Sequence, residues 1–205
     1  MTDLVLIPCC SRKRSGGKRD ESKSMLENYL TPSTWNRLCA ARVELANILQ
    51  LEISSDLDES DTPPKVDLMP AFRRYDGNLY RKAQLSVQEL DNSHRLFIVS
   101  ALYGLLDARD PIRLYNLQMS DTLPGRISVK RWWREKGLIG VVSNVIEHLG
   151  PKRLHDLLSG HYRDALRQIP TVTPKNCLYR PYDYPGMGTG SDYHRGSDLH
   201  QILGQ

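Results

Sequence analysis

Long apolar runs are missing from this 205-residue sequence. No stretch approaches the roughly 20 apolar residues that a membrane-spanning helix needs. The N-terminal residues MTDLVLIPCC carry no basic leader, and their apolar part is too short for a secretory signal. We therefore expect a cytoplasmic protein with no membrane partner.

Metal-binding patterns are also missing. The four cysteines (Cys9, Cys10, Cys39 and Cys177) form no CxxC pair, and no histidine lies at ligand spacing from them. We expect reduced thiols, no metal and no cofactor. A Walker A loop and internal repeats are absent as well.

What is present is typical of one globular domain. The sequence is 40% hydrophobic and 25% charged. A chain of this length buries roughly 70% of its unfolded surface, so it needs no disulfide or metal to hold a core.

Charge is unevenly distributed along the chain. The net charge is +4, with basic residues concentrated in SRKRSGGKR at 11–19 and around the Trp132-Trp133 pair at 130–136. Acidic residues concentrate at 54–61. This segregation favours an anionic partner on one face, and nucleic acid is compatible with it.

The order of elements predicts an α/β fold. Apolar runs predict strands at 3–8, 95–100, 153–159 and 175–180. Between them, periodic segments predict helices at about 35–50, 78–90 and 126–150, and a further helix through about residue 168. Thr34 or Ser33 is the expected cap of the first helix. The helix at 126–150 is expected to break near Gly137 and Gly140. We expect a single domain with a central, largely parallel sheet flanked by helices. An acidic mobile connection or surface loop is expected at 54–65, and a Gly-rich loop followed by a C-terminal helix at 182–205.

Three polar segments, at 9–19, 100–119 and 182–196, follow predicted strands, and ligands of such sheets bind at the mouth beyond the carboxyl ends of the strands. The first is residues 9–19. Its backbone N–H groups, hydroxyl and cations suit a phosphate. We expect phosphate or nucleic-acid contacts from its polar side chains, and Cys10 is either an activated nucleophile or, with Cys9, a small buried residue. The expected contacts are Ser11, Arg12, Lys13, Arg14 and Lys18.

The segment YDGNLYRKAQ at 75–84 places polar groups on a turn and on the first turns of a helix. Asp76, Tyr80 and Lys82 are candidates for contact with a base, a sugar or a phosphate. The alternative is that Asp76 caps the helix and the tyrosines pack in the core.

The segment SALYGLLDARDPIRLYNLQM at 100–119 combines carboxylates with aromatic rings. Asp107 and Asp110 are candidate general bases. Tyr103 and Tyr115 offer faces on which a base can stack, and Asn116 can read a base edge. The alternative is that both aspartates stabilise turns and both tyrosines belong to the core.

Two further groups of basic residues are candidates for nucleic-acid contact. Lys130 and Arg131 flank the tryptophan pair, which could stack on bases. His194 and Arg195 follow the glycine-rich segment GMGTG. The alternatives are that one tryptophan belongs to the core and that the glycine-rich segment is part of a flexible tail.

The motif at 99–119 resembles that of the YaaA (peroxide-stress) family and its shorter bacterial relatives. IPCCSRKR and YDGNLYRKA are similar to two further motifs of those relatives, in the same order. Asn116 differs, because relatives tend to carry a charged residue there. The matching residues of the 99–119 motif are Ser100, Tyr103, Gly104, Leu105, Asp110, Tyr115, Leu117 and Met119.

The resemblance implies an α/β fold similar to that of the uracil-DNA-glycosylase superfamily. The first-strand motif also resembles that of archaeal tRNA 7-deazaguanine-modifying enzymes. We therefore expect double-stranded DNA as the partner and a DNA glycosylase that flips out and excises a modified or damaged base, with defence against modified foreign DNA as a role. In this hypothesis Asp110, or otherwise Asp107, positions water, and Asn116 reads the base. The alternatives are a non-catalytic DNA-binding stress protein and a nucleobase-modifying transferase.

Overall fold

The computed structural model describes residues 3–19, 23–58, 65–90 and 94–204. Within them the chain forms one α/β domain around a five-stranded sheet of order β4-β3-β1-β6-β7. All neighbouring strands are parallel except β4, which is antiparallel to β3. The predicted largely parallel sheet is confirmed. The strands are β1 Asp3–Pro8, β2 Leu68–Pro70, β3 His94–Ser100, β4 Gly104–Asp107, β5 Pro111–Arg113, β6 Arg153–Asp156 and β7 Leu178–Pro181.

The helices lie between the strands and cover the sheet. Two 3-10 turns, at Leu26–Tyr29 and Gly188–Gly190, accompany them. No helix within the described ranges is long and apolar enough to cross a membrane. The helices are α1 Pro32–Ile48, α2 Ser55–Asp58, α3 Ala71–Arg74, α4 Asn78–Ala83, α5 Val87–Leu90, α6 Val129–Glu135, α7 Leu138–Leu149, α8 Gly160–Ala165, α9 Ile169–Val172 and α10 Ser191–Leu203.

Helix boundaries differ from the prediction where the backbone turns left-handed. The expected single helix at 78–90 is two helices, because Gln84 has φ 53° and ends α4. The expected break near Gly137 is confirmed, at φ 75°.

The cap of α1 is Thr31, whose side chain accepts a hydrogen bond from the Thr34 N–H. Pro32 therefore occupies the first turn, where its missing N–H costs nothing.

Three short strands were not predicted. The strands β2 and β5 form a separate antiparallel pair. The strand β4 returns along β3, so that Gly104 lies opposite Ser100 and Asp107 lies opposite Phe97. The chain after Ser100 therefore runs back along the sheet instead of staying at the carboxyl edge.

The first part of the predicted acidic loop is also structured. Residues 55–58 form α2, and Ser54 and Asp56 are buried. Asp56 receives two hydrogen bonds from the Arg113 guanidinium and one from the Tyr103 hydroxyl. Residues 59–64 of that prediction lie outside the described residues.

Candidate nucleic-acid interface and active site

The carboxyl ends of β1 and β3 meet at a cluster of hydroxyl and thiol groups. The Tyr115 hydroxyl lies 2.8 Å from the Tyr75 hydroxyl and 3.0 Å from the Ser100 Oγ. It also lies 3.7 Å from the Cys9 Sγ, which is 3.1 Å from the Tyr162 hydroxyl. Burial raises the pKa of Tyr75, Tyr115 and Tyr162 well above the usual value, so these hydroxyls stay protonated.

Lys13 lies at the mouth of this cluster. A bridge between the Lys13 and Tyr75 backbones brings the two segments together. The Lys13 Nζ lies 4.0 Å from the Tyr115 ring centroid and donates to the Cys10 carbonyl at 3.0 Å and the Ser11 carbonyl at 3.4 Å. Burial lowers the pKa of this amine; the neighbouring thiols and Asp121 act in the opposite direction.

Beside Lys13, one carboxylate forms ion pairs with three guanidinium groups. Asp76 pairs with Arg12 at 3.2 Å, Arg14 at 3.1 Å and Arg81 at 2.6 Å. The hydrogen bonds from Arg81, above all, and from Arg14 lower the pKa of Asp76 to about 2. The cluster therefore keeps a net positive charge, and the side chains of Arg12 and Arg14 remain 66% and 59% exposed.

The basic loop 11–19 is fixed by a buried arginine. The Arg74 Nη1 donates to the Arg14 carbonyl at 2.7 Å and to the Gly16 carbonyl at 2.8 Å. Lys18 pairs through its backbone with Leu68. The backbone of the loop is therefore anchored at several points, which fixes where its basic residues leave the main chain.

A cleft of about 320 Å³ adjoins this loop. Arg14, Lys18, Arg73 and Arg109 contribute cations to its walls, and apolar residues of β2 contribute to its lining. Arg73 and Arg109 were missed by the sequence reasoning, although the run FRRYDG carried a signal for the first. The cleft therefore places further basic residues beside the loop.

Cys10 does not have the environment of an activated nucleophile. Its Sγ–H donates to the Arg12 carbonyl at 2.9 Å, and its Sγ accepts from the Gly77 N–H at 3.2 Å. Burial, aided by Cys9, raises the pKa of Cys10 to about 12. All four cysteines are free thiols; Cys9 is buried and Cys10 is half-buried.

The tyrosines expected to stack on a base are buried in the core. The Tyr103 hydroxyl donates to Asp56 at 2.6 Å and accepts from the Arg113 N–H at 3.1 Å. The Tyr80 hydroxyl donates to the Pro8 carbonyl. Tyr115 is 7% exposed, and Lys13 covers a face of its ring. None of the three presents an open face, whereas Asn116, next to Tyr115, is exposed.

Asp107 and Asp110 lie away from the carboxyl edge, because β4 runs back along β3. Both are at most 2% exposed. Asp110 accepts hydrogen bonds from the backbone N–H groups of Met25, Leu26 and Asp107. Asp107 accepts from the N–H and Nε of Arg109. The expected placement at the mouth of the sheet is wrong, and both groups stabilise turns.

The second basic cluster is largely paired. The Lys130 Nζ donates to Asp164 at 2.7 Å, and Arg131 pairs with Glu135. Trp132 and Trp133 are both buried, with exposures of 5% and 1%, so neither can stack on a base. The packing alternative therefore holds for both tryptophans.

The tail contributes one exposed candidate. His194 is exposed, whereas Arg195 is buried and donates to Ser191 and Asp192. The Lys82 Nζ lies 4.8 Å from the Tyr193 ring centroid. Among the described residues, no group of three His, Cys, Asp or Glu side chains could hold a metal ion.

The comparisons with known proteins agree with the motif at 99–119. The family model of the peroxide stress protein YaaA matches residues 21–180. Two UPF0246 proteins of Rickettsia bellii, from strains OSU 85-389 and RML369-C, are each 26% identical to the chain over 162 residues. Each match covers 71% of this chain, which spans only 63% of the length of these curated relatives. Because the family model matches most of the sequence, the chain belongs to the peroxide stress protein YaaA family.

Proposed function

We propose that this protein binds double-stranded DNA in the cytoplasm and excises a modified or damaged base by cleaving its N-glycosidic bond. The observation that carries the proposal is the excess of cations at the carboxyl edge of the sheet. Three arginines surround Asp76 there, and Lys13 lies beside them. Removal of modified bases from foreign DNA is a role that fits this activity.

The arginines suit the phosphates of a DNA backbone. One carboxylate cannot neutralise three guanidinium groups, and the exposed Arg12 and Arg14 keep donors available. Guanidinium groups bind phosphate oxygens in bidentate geometry, and binding releases condensed counterions. Contacts of this kind position a duplex without reading its sequence.

A flipped base would meet Asn116 and the Lys13 side chain. Asn116 is exposed on the loop that follows β5, and its neighbour Tyr115 lies under Lys13. An amide can both donate to and accept from a base edge. An enzyme that cleaves a glycosidic bond must extrude its nucleotide, because the bond is unreachable within the stack.

Asp76 is an ionised carboxylate within this basic cluster, and it is a poor general base. With a pKa of about 2 it holds a proton too weakly to activate water efficiently. Its function in the proposal is to fix the three arginines.

A specific observation favours a non-catalytic DNA-binding protein as the second candidate. Asp107 and Asp110, the carboxylates expected to activate water, are buried and satisfied by backbone N–H groups. The positive surface remains without them, so DNA binding does not depend on catalysis.

The test is incubation with genomic DNAs of differing base chemistry, followed by mass spectrometry of the released bases. We expect one modified base to be released by the wild type and by Gln118→Ala, an exposed neighbour on the same loop, but not by Asn116→Ala. DNA binding without release of any base would refute the glycosylase and support the second candidate. Equal release by both variants would refute the role of Asn116.

A further inference from the structure

The Lys13 amine has an unusual set of partners. Its Nζ donates to two backbone carbonyls, those of Cys10 and Ser11, and lies against the Tyr115 ring. Among the described residues, no carboxylate oxygen lies within 4.0 Å of it. The lysine is half-buried, whereas its neighbours Arg12 and Arg14 are exposed. The amine is thus presented at the surface of a hydroxyl cluster and is not engaged in an ion pair.

Two carbonyls and an aromatic ring can also hold an ammonium, but with no carboxylate partner among the described residues the amine can lose its proton without breaking an ion pair. A neutral amine has two N–H groups and one lone pair, and two carbonyl acceptors satisfy both N–H groups. The lone pair then remains for a ligand. Desolvation of the ammonium lowers the pKa of Lys13 and increases the neutral fraction. Lysines in such surroundings form Schiff bases with carbonyl substrates.

We infer that Lys13 is the nucleophile of a second activity, an abasic-site lyase that cleaves the DNA strand through a Schiff base. The inference rests on the proposed function in one respect, namely that DNA binds at the carboxyl edge of the sheet. It assigns a covalent role to a residue that otherwise only contributes charge, and it defines the substrate as the aldehyde form of an abasic deoxyribose.

The reaction balances without an oxidant, a reductant or a metal. The neutral Lys13 amine attacks C1′ of the aldehyde, and after proton transfer the C1′ oxygen leaves as water, which gives a protonated imine. Solvent water or hydroxide removes a proton from C2′. The electrons form a C1′–C2′ enamine and then a C2′–C3′ double bond as the C3′–O bond breaks. The 3′ phosphate leaves with that electron pair, and water hydrolyses the imine to regenerate Lys13.

The experiment uses the full-length protein and a duplex oligonucleotide with one preformed abasic site. Sodium borohydride reduces the imine to a stable secondary amine, so the protein becomes covalently attached to the DNA. We expect a cross-linked band with the wild type and strand cleavage when borohydride is omitted. Both signals should be lost in Lys13→Ala and in Lys13→Arg, which keeps the positive charge.

Lys152→Ala is the matched control. Lys152 is exposed next to the amino end of β6, away from the carboxyl edge, and its removal lowers the net charge equally. We expect it to cross-link like the wild type. Peptide mapping of the wild-type adduct should place the modification on Lys13, a readout that does not require any variant to fold. An adduct on another lysine, or undiminished cross-linking by Lys13→Arg, would overturn the inference.

The outcome is separable from that of the base-release experiment. Cross-linking through Lys13 without release of any base from genomic DNA would support the lyase and refute the glycosylase. Release of a base without cross-linking to abasic DNA would support the glycosylase and refute the lyase. Binding to the oligonucleotide, followed in parallel by gel shift, ensures that a missing cross-link reflects missing chemistry.

Discussion

Two polar stretches of this protein look equally functional in sequence and have opposite fates in the fold. In residues 100–119, Ser100, Tyr103 and Asp110 are each at most 1% exposed and hydrogen-bonded within the protein. In the loop 11–19, by contrast, the Arg12 and Arg14 side chains remain more than half exposed beside one shared carboxylate. The first stretch organises the core, and the second offers charge to a ligand.

The difference shows that a family motif can record a folding requirement. Ser100 accepts a hydrogen bond from the Tyr103 N–H, which closes the turn between β3 and β4. Arg42 donates to the carbonyls of Tyr103 and Leu105. Buried polar groups are tolerated only when paired, so each of these residues constrains its partners. Substitutions in the two stretches should therefore affect different properties.

The largest effect on stability is expected from Asp56→Ala. The change leaves the Arg113 guanidinium, whose side chain is 5% exposed, without its carboxylate. Breaking a buried pair from one side costs about 3–5 kcal/mol of the free energy of unfolding. Urea denaturation measures this loss. Lys65→Ala is the control: Lys65 pairs with Glu52 at the surface, so its substitution should lower the free energy of unfolding by less than about 1 kcal/mol. Equal losses in both variants would contradict the comparison.

Gly104→Ala should be the next most damaging change. Gly104 has φ 73°, and an added Cβ would lie 2.7 Å from the Trp133 ring. Left-handed strain and overpacking together predict a loss of roughly 2–4 kcal/mol. Gly125→Ala isolates the backbone contribution, because Gly125 has φ 87° and a Cβ added there would meet no atom within 4 Å. Its loss in thermal or urea unfolding should be about 1 kcal/mol, and similar losses in the two variants would show that the Trp133 contact is unimportant.

Asp110 should make stability depend on pH. Burial, together with the charge of Asp107, raises the pKa of Asp110 to about 7 in the folded state, from 3.8. The folded state then holds this proton more tightly than the unfolded state. The stabilisation is complete below the unfolded pKa and is lost as the pH rises through about 7. The free energy of unfolding should fall by about 2 kcal/mol between roughly pH 5 and pH 7 from this group.

Asp110→Asn removes the titrating group. Urea unfolding of the wild type and the variant across this pH range should show the fall only in the wild type. A variant with the wild-type slope would mean that Asp110 keeps the same protonation state in the folded and unfolded proteins.

The smallest effects on stability are expected in the basic loop. Arg12→Ala and Arg14→Ala should change the free energy of unfolding by no more than about 0.5 kcal/mol, as exposed side chains do. DNA binding should weaken across all sequences, and each variant should reduce the slope of log K against log salt by about 1. Lys175→Ala, an exposed cation outside the loop, is the control for net charge. Unchanged salt slopes in both arginine variants would remove them from the interface.

The sequence by itself determined the strands of the parallel sheet and the loops that follow them. Asp3–Pro8 and His94–Ser100 were recognisable because buried strands of parallel sheets are continuous apolar runs. The basic loop was recognisable because cations so close together cannot all be buried. The sequence identified Lys13 as one of the basic residues of this loop, but it did not reveal the contacts of the Lys13 amine with Tyr115 and two carbonyls.

The tertiary structure alone decided which polar residues face solvent. Asp56, expected in a mobile loop, becomes buried through contacts with Tyr103 and Arg113, which lie 47 and 57 positions away. Asp110 becomes buried because the Met25 and Leu26 N–H groups, some 85 positions away, reach its carboxylate. The direction of β4 moved both predicted aspartates away from the carboxyl edge. A carboxylate in a motif is chemically the same in either place; whether it is a solvated group or a buried acceptor depends on partners that only the folded chain brings to it.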